Sequence, residues 1–142
     1  MFQTIVVPID GSEHADRAAE RAFEIATHHG SSVHVICVVD TGPLANYQLP
    51  GESENAAEAI GKRAATLVEE TAEAAPEGID ITTATPTGSA KTGIVDYAES
   101  VGADLVVMGS RGRGGVERLM LGSVTEHVTR SSGVDVLVRG EN

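Results

Sequence analysis

The sequence predicts a doubly wound α/β domain, with helices packed on both faces of a parallel sheet, and three observations carry that prediction. Five short runs rich in Val and Ile recur along the 142 residues, they are mostly continuous rather than alternating in polarity, and segments of helical spacing separate them. A continuous apolar run bounded by turn residues is the pattern of a strand buried on both faces, as in a parallel sheet. Strict alternation of such strands with helices points to right-handed crossovers instead of hairpins. The length is that of one ordinary domain, 1–142.

The first run, Thr4 to Ile9, contains Pro8, which has no N–H for a ladder and is therefore placed where the strand leaves the sheet. In the helix that follows, Ala15, Ala18, Ala19, Ala22, Phe23 and Ala26 share one face, with Ser12 as N-cap and Gly30 as the stop. The second run, Val33 to Val39, holds Cys37, the chain's one cysteine, which reads as a small buried hydrophobe. The stretch from Asp40 to Glu52 is long for a strand-to-helix connection and includes Gly42, Pro43, Pro50 and Gly51; a flexible flap beside a site and a solvated loop both fit it. A second helix sets Ala57, Ile60, Ala64, Leu67, Val68, Thr71 and Ala75 on one face, and the third run is Ile79 to Thr85. The third helix carries Ala90, Ile94, Ala98 and Val101 and stops at Gly102. Asp104 to Met108 is the fourth run; a short helix beginning near Ser123, with Val124 and Val128 inward, leads to the fifth, Val134 to Val138.

A net charge of -11, with Lys62 and Lys91 the only lysines, argues against a nucleic-acid partner, because backbone recognition needs clustered cations to displace counterions. The same acidic, lysine-poor composition is what a halophilic cytoplasm selects, where concentrated salt screens self-repulsion. The opening MFQTIVVPID enters a strand-like run with no basic region ahead of it, and no apolar stretch approaches the ~20 residues of a membrane span. A cytoplasmic location and no membrane partner are expected.

In α/β sheets of this kind ligands bind beyond the carboxyl ends of the strands, and the turn after the fourth strand stands out. Five glycines fall between Gly109 and Ser123 in GSRGRGGVERLMLGS. Glycine lets backbone amides approach a phosphate and form the concave nests that bind anions. Gly122 and Ser123 open a helix, whose first N–H groups are unpaired and carry about half a positive charge. Arg111, Arg113 and Arg118 against Glu117 make the window 109–118 +2, while the remaining chain is -13, so an anionic ligand meets one favourable place. Neither of the commoner phosphate motifs fits. A Walker loop needs Lys and then Ser or Thr after its last glycine, where this chain has Gly115 and Val116; the first strand-to-helix turn, Asp10–Gly11–Ser12, lacks the dinucleotide glycine triplet.

Gly109, two residues, Gly112, nine residues, then Gly122 and Ser123 resembles the ATP-binding signature of the universal stress proteins, in their nucleotide-binding branch. The resemblance extends to IVVPIDGSEHADRA, TPTGSAKTGIVDYA, ADLVVMGSRGRGG and GSVTEHVTRSSGVDVLVRG. It implies a Rossmann-like, adenine nucleotide hydrolase-like three-layer α/β/α sandwich whose five-stranded parallel sheet has the order 3-2-1-4-5. It further implies that Pro8, Ile9, Asp10 and Val39 border adenine and ribose, and that Met108 and Gly109 lie under the ribose. Arg111 and Gly112 would stand beside the phosphates, with Ser123 and the Val124 amide, behind Gly122, on the terminal ones. Mg2+ would accompany ATP. Asp10 would accept a ribose hydroxyl or reach the metal; an acid favoured by the helix dipole is the competing reading.

A nucleotide-dependent stress-response regulator or switch is the leading expectation. A slow ATPase is the rival, with His127 one turn beyond Ser123 and Arg111 or Arg113 as its candidate groups, and a partner-binding domain with no nucleotide is the third. His14, His28, His29 and His34 show no metal-ligand spacing with Cys37. The last strand is expected at a sheet edge, where an apolar strand invites pairing with a second copy.

Overall fold

Nine elements alternate along residues 2–40, 56–111 and 122–140, the residues described by the computed structural model. They are β1 (Thr4–Pro8), α1 (Glu13–His29), β2 (Ser32–Ile36), α2 (Ala56–Glu73), β3 (Asp80–Ala84), α3 (Ala90–Ser100), β4 (Leu105–Gly109), α4 (Ser123–Ser131) and β5 (Asp135–Arg139). The strands form one sheet in the order β3-β2-β1-β4-β5, and every pair is parallel. This is the expected α/β/α sandwich.

The core divides by residue parity, because successive side chains of a strand point to opposite faces. Ile5, Val7, Val33, Val35, Leu105 and Val107 pack with the alanine face of α1 and with Ala64 and Val68 of α2. Val6, Ile36, Val106 and Met108 face the other way, against Ile94 and Ala98 of α3 and Val128 of α4. Both layers bury the central strands completely, and Ile5, Val6, Val7, Val106 and Val107 have no exposed surface.

Local signals placed α1 as expected. Ser12 Oγ accepts the Ala15 N–H at 3.2 Å, Gly30 ends the helix at φ +70°, and its six predicted inward residues are all buried. A Ser cap of this kind is worth about 1 kcal/mol. The structure narrows the expected face of α2: Ala64 and Val68 are buried, Leu67 and Ala75 are partly so, and Ile60 is 39% exposed. The physical reason is that α2 covers the edge strand β3, itself half-exposed, where there is less apolar surface to meet. The second strand also ends earlier than Val39. Cys37 N–H still donates to Ala84 O at 3.1 Å and Val39 N–H to Pro86 O at 2.7 Å, but Pro86 has no N–H to return, so Val39 and Thr87 form only an isolated bridge. Pro8 is the last residue of β1, opposite Ile36, and Ile9 N–H takes up the bond to Ile36 O at 2.8 Å. No helix among the described residues is long and apolar enough to cross a membrane.

Candidate functional site

The sheet is weakest in its middle. β1 and β2, β2 and β3, and β4 and β5 are each registered over their full length, whereas β1 and β4 are paired only at Ile5↔Leu105 and Val6↔Val106. Beyond those pairs the strands no longer share a ladder. This is the switch point of the strand order, the position at which open α/β sheets bind ligands.

On the β1 side, Asp10 is half-buried and its Oδ1 accepts the Ser12 N–H at 2.9 Å. One carboxylate oxygen therefore takes part in the turn that starts α1. Gly11 supplies the φ of +86° at which this turn reverses. Pro8 and Ile9 are buried, and Val39 is 5% exposed. Because Val39 N–H is bonded to Pro86 O and its carbonyl accepts the Gly88 N–H at 3.0 Å, a base placed here would not find the Val39 N–H available.

On the β4 side, three hydrogen bonds define the mouth. Thr125 Oγ1 donates to Gly109 O at 2.8 Å, Gly122 N–H donates to Ser110 O at 2.8 Å, and Ser110 N–H donates to Arg139 O at 3.2 Å. Together they hold Gly122 beside Ser110 and seat the first turn of α4 on the end of β4. Within α4, Glu126 N–H is the first to bond backwards, to Gly122 O at 2.9 Å. The N–H groups of Ser123, Val124 and Thr125 thus have no partner inside the helix. Gly122 sits at φ -64° and ψ 154°, a conformation open to any residue. Arg111, at the base of the loop, is 9% exposed on a chain of net charge -11.

Gly109 has a packing task that the sequence did not announce. A Cβ there would lie 2.7 Å from His14 Cβ and 2.8 Å from the His14 carbonyl carbon and oxygen, so its missing side chain lets α1 settle on β4. Two buried polar atoms next to this contact, His14 Nδ1 and Ser110 Oγ, have no hydrogen-bond partner among the described residues. Each such atom carries a penalty of about 1–3 kcal/mol.

Asp10, Met108, Gly109, Arg111, Gly122, Ser123 and Val124 are thus gathered at the carboxyl ends of β1 and β4, and Pro8, Ile9 and Val39 form the buried floor beside them. Gly112, Arg113, Gly114, Gly115, Glu117 and Arg118 lie outside the described residues, as does 41–52 of the long connection. His127 is half-buried on α4. Among the described residues no three His, Cys, Asp or Glu side chains are placed to share a metal ion. Sequence reasoning missed Thr125 and the packing role of His14. GSVT reads as a helix start and gives no sign that its threonine bonds the preceding strand, and a lone histidine shows only ligand spacing or its lack.

Comparison with known proteins gives a consistent picture. Residues 1–139 match the Universal stress protein family. A universal stress protein of Methanocaldococcus jannaschii is 35% identical over 139 residues, which cover 97% of this chain and 82% of that protein. The solved structure of the hypothetical protein MJ0577 superposes with a TM-score of 0.82 at 25% identity, covering 100% of this chain and 98% of the other. A universal stress protein crystallised in complex with cAMP superposes at 0.65 with 29% identity, over 98% and 97% of the two chains.

Proposed function

Because this chain belongs to the Universal stress protein family, we propose that it binds an adenine nucleotide, ATP with its Mg2+, across the gap between β1 and β4 and serves as a nucleotide-dependent regulator or switch. The observation that carries this reading is the first turn of α4. Its amides at Ser123 and Val124, with no partner inside the helix, are held at the end of β4 by the Thr125–Gly109 and Gly122–Ser110 bonds. Amides fixed in this way need no rearrangement to receive a phosphate. The structural relative carrying cAMP supports the adenine half of the reading.

In this reading Ser123 and the Val124 amide take the terminal phosphates, with Gly112 and Arg111 beside them. Met108 and Gly109 underlie the ribose, whose hydroxyl meets the Asp10 carboxylate. Pro8, Ile9 and Val39 border the base. The phosphates, rather than a preformed carboxylate cage, carry the Mg2+, as is usual for this ion. These residues orient the ligand and hold its charge. Binding, and not turnover, is the activity proposed.

Calorimetric titration of ATP into wild type and Gly122→Val tests the site. The valine is compatible with the backbone at φ -64° but places a branched side chain where phosphate would approach. ATP affinity should fall by at least about tenfold, roughly 1.4 kcal/mol, with the melting temperature unchanged. Equal affinities would remove the site. Nucleotide identified by mass in the denatured, purified protein would dispose of the reading in which the crevice stays empty.

A further inference from the structure

The β1 side of the crevice is approached by a cation from α2. The point at which a Cβ would stand on Gly11 is 3.6 Å from Arg63 Nη2 and 3.5 Å from Leu67 Cδ2. The Arg63 guanidinium therefore lies over the Asp10–Gly11–Ser12 turn, with the Leu67 side chain beside it, although Gly11 and Arg63 are far apart in the sequence.

This arginine also differs in its pairing from the other described arginines. Arg17 meets Glu13 at 3.4 Å, Arg21 meets Glu24 at 3.2 Å, Arg130 meets Glu126, and Arg111 and Arg139 are engaged as well. Arg63 makes no hydrogen bond or ion pair among the described residues. Its own helix offers none: the neighbours at three and four residues' distance are Ala59, Ile60, Thr66 and Leu67. On a chain with 21 acidic and 10 basic residues, an exposed guanidinium at the end of the sheet with no carboxylate partner among the described residues is an unusual placement.

We propose that Arg63 meets the phosphate nearest the nucleoside, bounding the β1 side of the site as the first turn of α4 bounds the β4 side. This assignment rests on the nucleotide-site reading above. Asp10 neighbours the ribose in that reading, and Gly11 follows Asp10, so a cation over Gly11 faces the ribose-proximal phosphate and not the terminal one. An arginine fork suits a phosphate that keeps two free oxygens.

Titration of ATP, AMP and adenosine into wild type and Arg63→Gln, with melting curves of both, decides the matter. Arg63→Gln should weaken ATP and AMP alike, by roughly three- to tenfold for a charge pair at a solvent-open position, and leave adenosine affinity and melting temperature unchanged. Unchanged ATP and AMP affinities would overturn the role of Arg63 while the site itself stood. A loss confined to ATP, or one shared by adenosine, would also overturn it, since the contact would then lie at the distal phosphates or act through the nucleoside or the fold. Wild-type protein that bound neither ATP nor AMP would instead remove the nucleotide site from which the assignment starts.

Discussion

Gly109 illustrates how one residue can carry a role that its sequence motif does not announce. Its place in a glycine-spaced motif marks the segment, yet the space it leaves is filled by His14 of α1. Gly109→Ala should therefore destabilise the folded protein by about 1–3 kcal/mol, the usual consequence of overpacking, because the groups in the way include backbone atoms. Urea unfolding measures this, and a midpoint equal to wild type would contradict it. Gly122→Val, whose backbone is unstrained, should show the opposite pattern of retained stability and lost ligand. The sequence could not separate the two glycines, since spacing encodes neither helix packing nor dihedral angle. Asp10 was legible only in part: its place at a helix start was plain, while its bond to Ser12 depends on the turn that Gly11 permits.

At the scale of elements, caps and periodicity were informative where one element determined its own limits. Ser12 and Gly30 bounded α1, and Gly102 followed α3, because these signals act through local hydrogen bonds and backbone angles. Prediction failed where a second element intervened: Pro86 interrupts the ladder that would have carried β2 to Val39, and the exposed edge at β3 leaves Ile60 on α2 uncovered. One contact between elements has a pH signature. His34 of β2 and Tyr97 of α3 share a hydrogen bond of 2.8 Å, with their rings edge to face at 5.6 Å. Burial lowers the His34 pKa below its usual 6.5, partly opposed by the Asp80 carboxylate, and raises that of Tyr97 above 10.0. A lowered histidine pKa means that the unfolded chain takes up the proton first. The stability contributed is complete above pH 6.5 and declines as pH falls from there towards the lowered value. His34→Gln should accordingly reduce the difference in urea midpoint between about pH 7.5 and about pH 5.5. An undiminished difference would assign the pH dependence to other groups.

For the whole molecule, the fold class and strand order were accessible because parallel strands buried on both faces have an unmistakable composition, and the family resemblance supplied their order. Oligomeric state was not, since an edge strand advertises an interface without naming its partner. β5 is such an edge, half-buried along Val136–Arg139, and we expect two copies to pair through it. The charge of -11 opposes that association and compaction alike, and salt relieves both. Light scattering and melting across a potassium chloride series should find a two-chain mass at micromolar concentration and a melting temperature that climbs with salt. A monomer throughout would remove the β5 interface, and a flat melting temperature would remove the self-repulsion.

The two-pair ladder between β1 and β4 also bears on mechanics. It leaves β3, β2 and β1 as one plate and β4 and β5 as another, joined near their lower ends and strapped along one face by α1, whose His14 lies on Gly109. A nucleotide reaching from Asp10 to Ser123 would rivet the open ends of the two plates. Occupancy would then be read as stiffness at the outer strands, so that a partner seated on β5 need never touch the ligand to register its arrival.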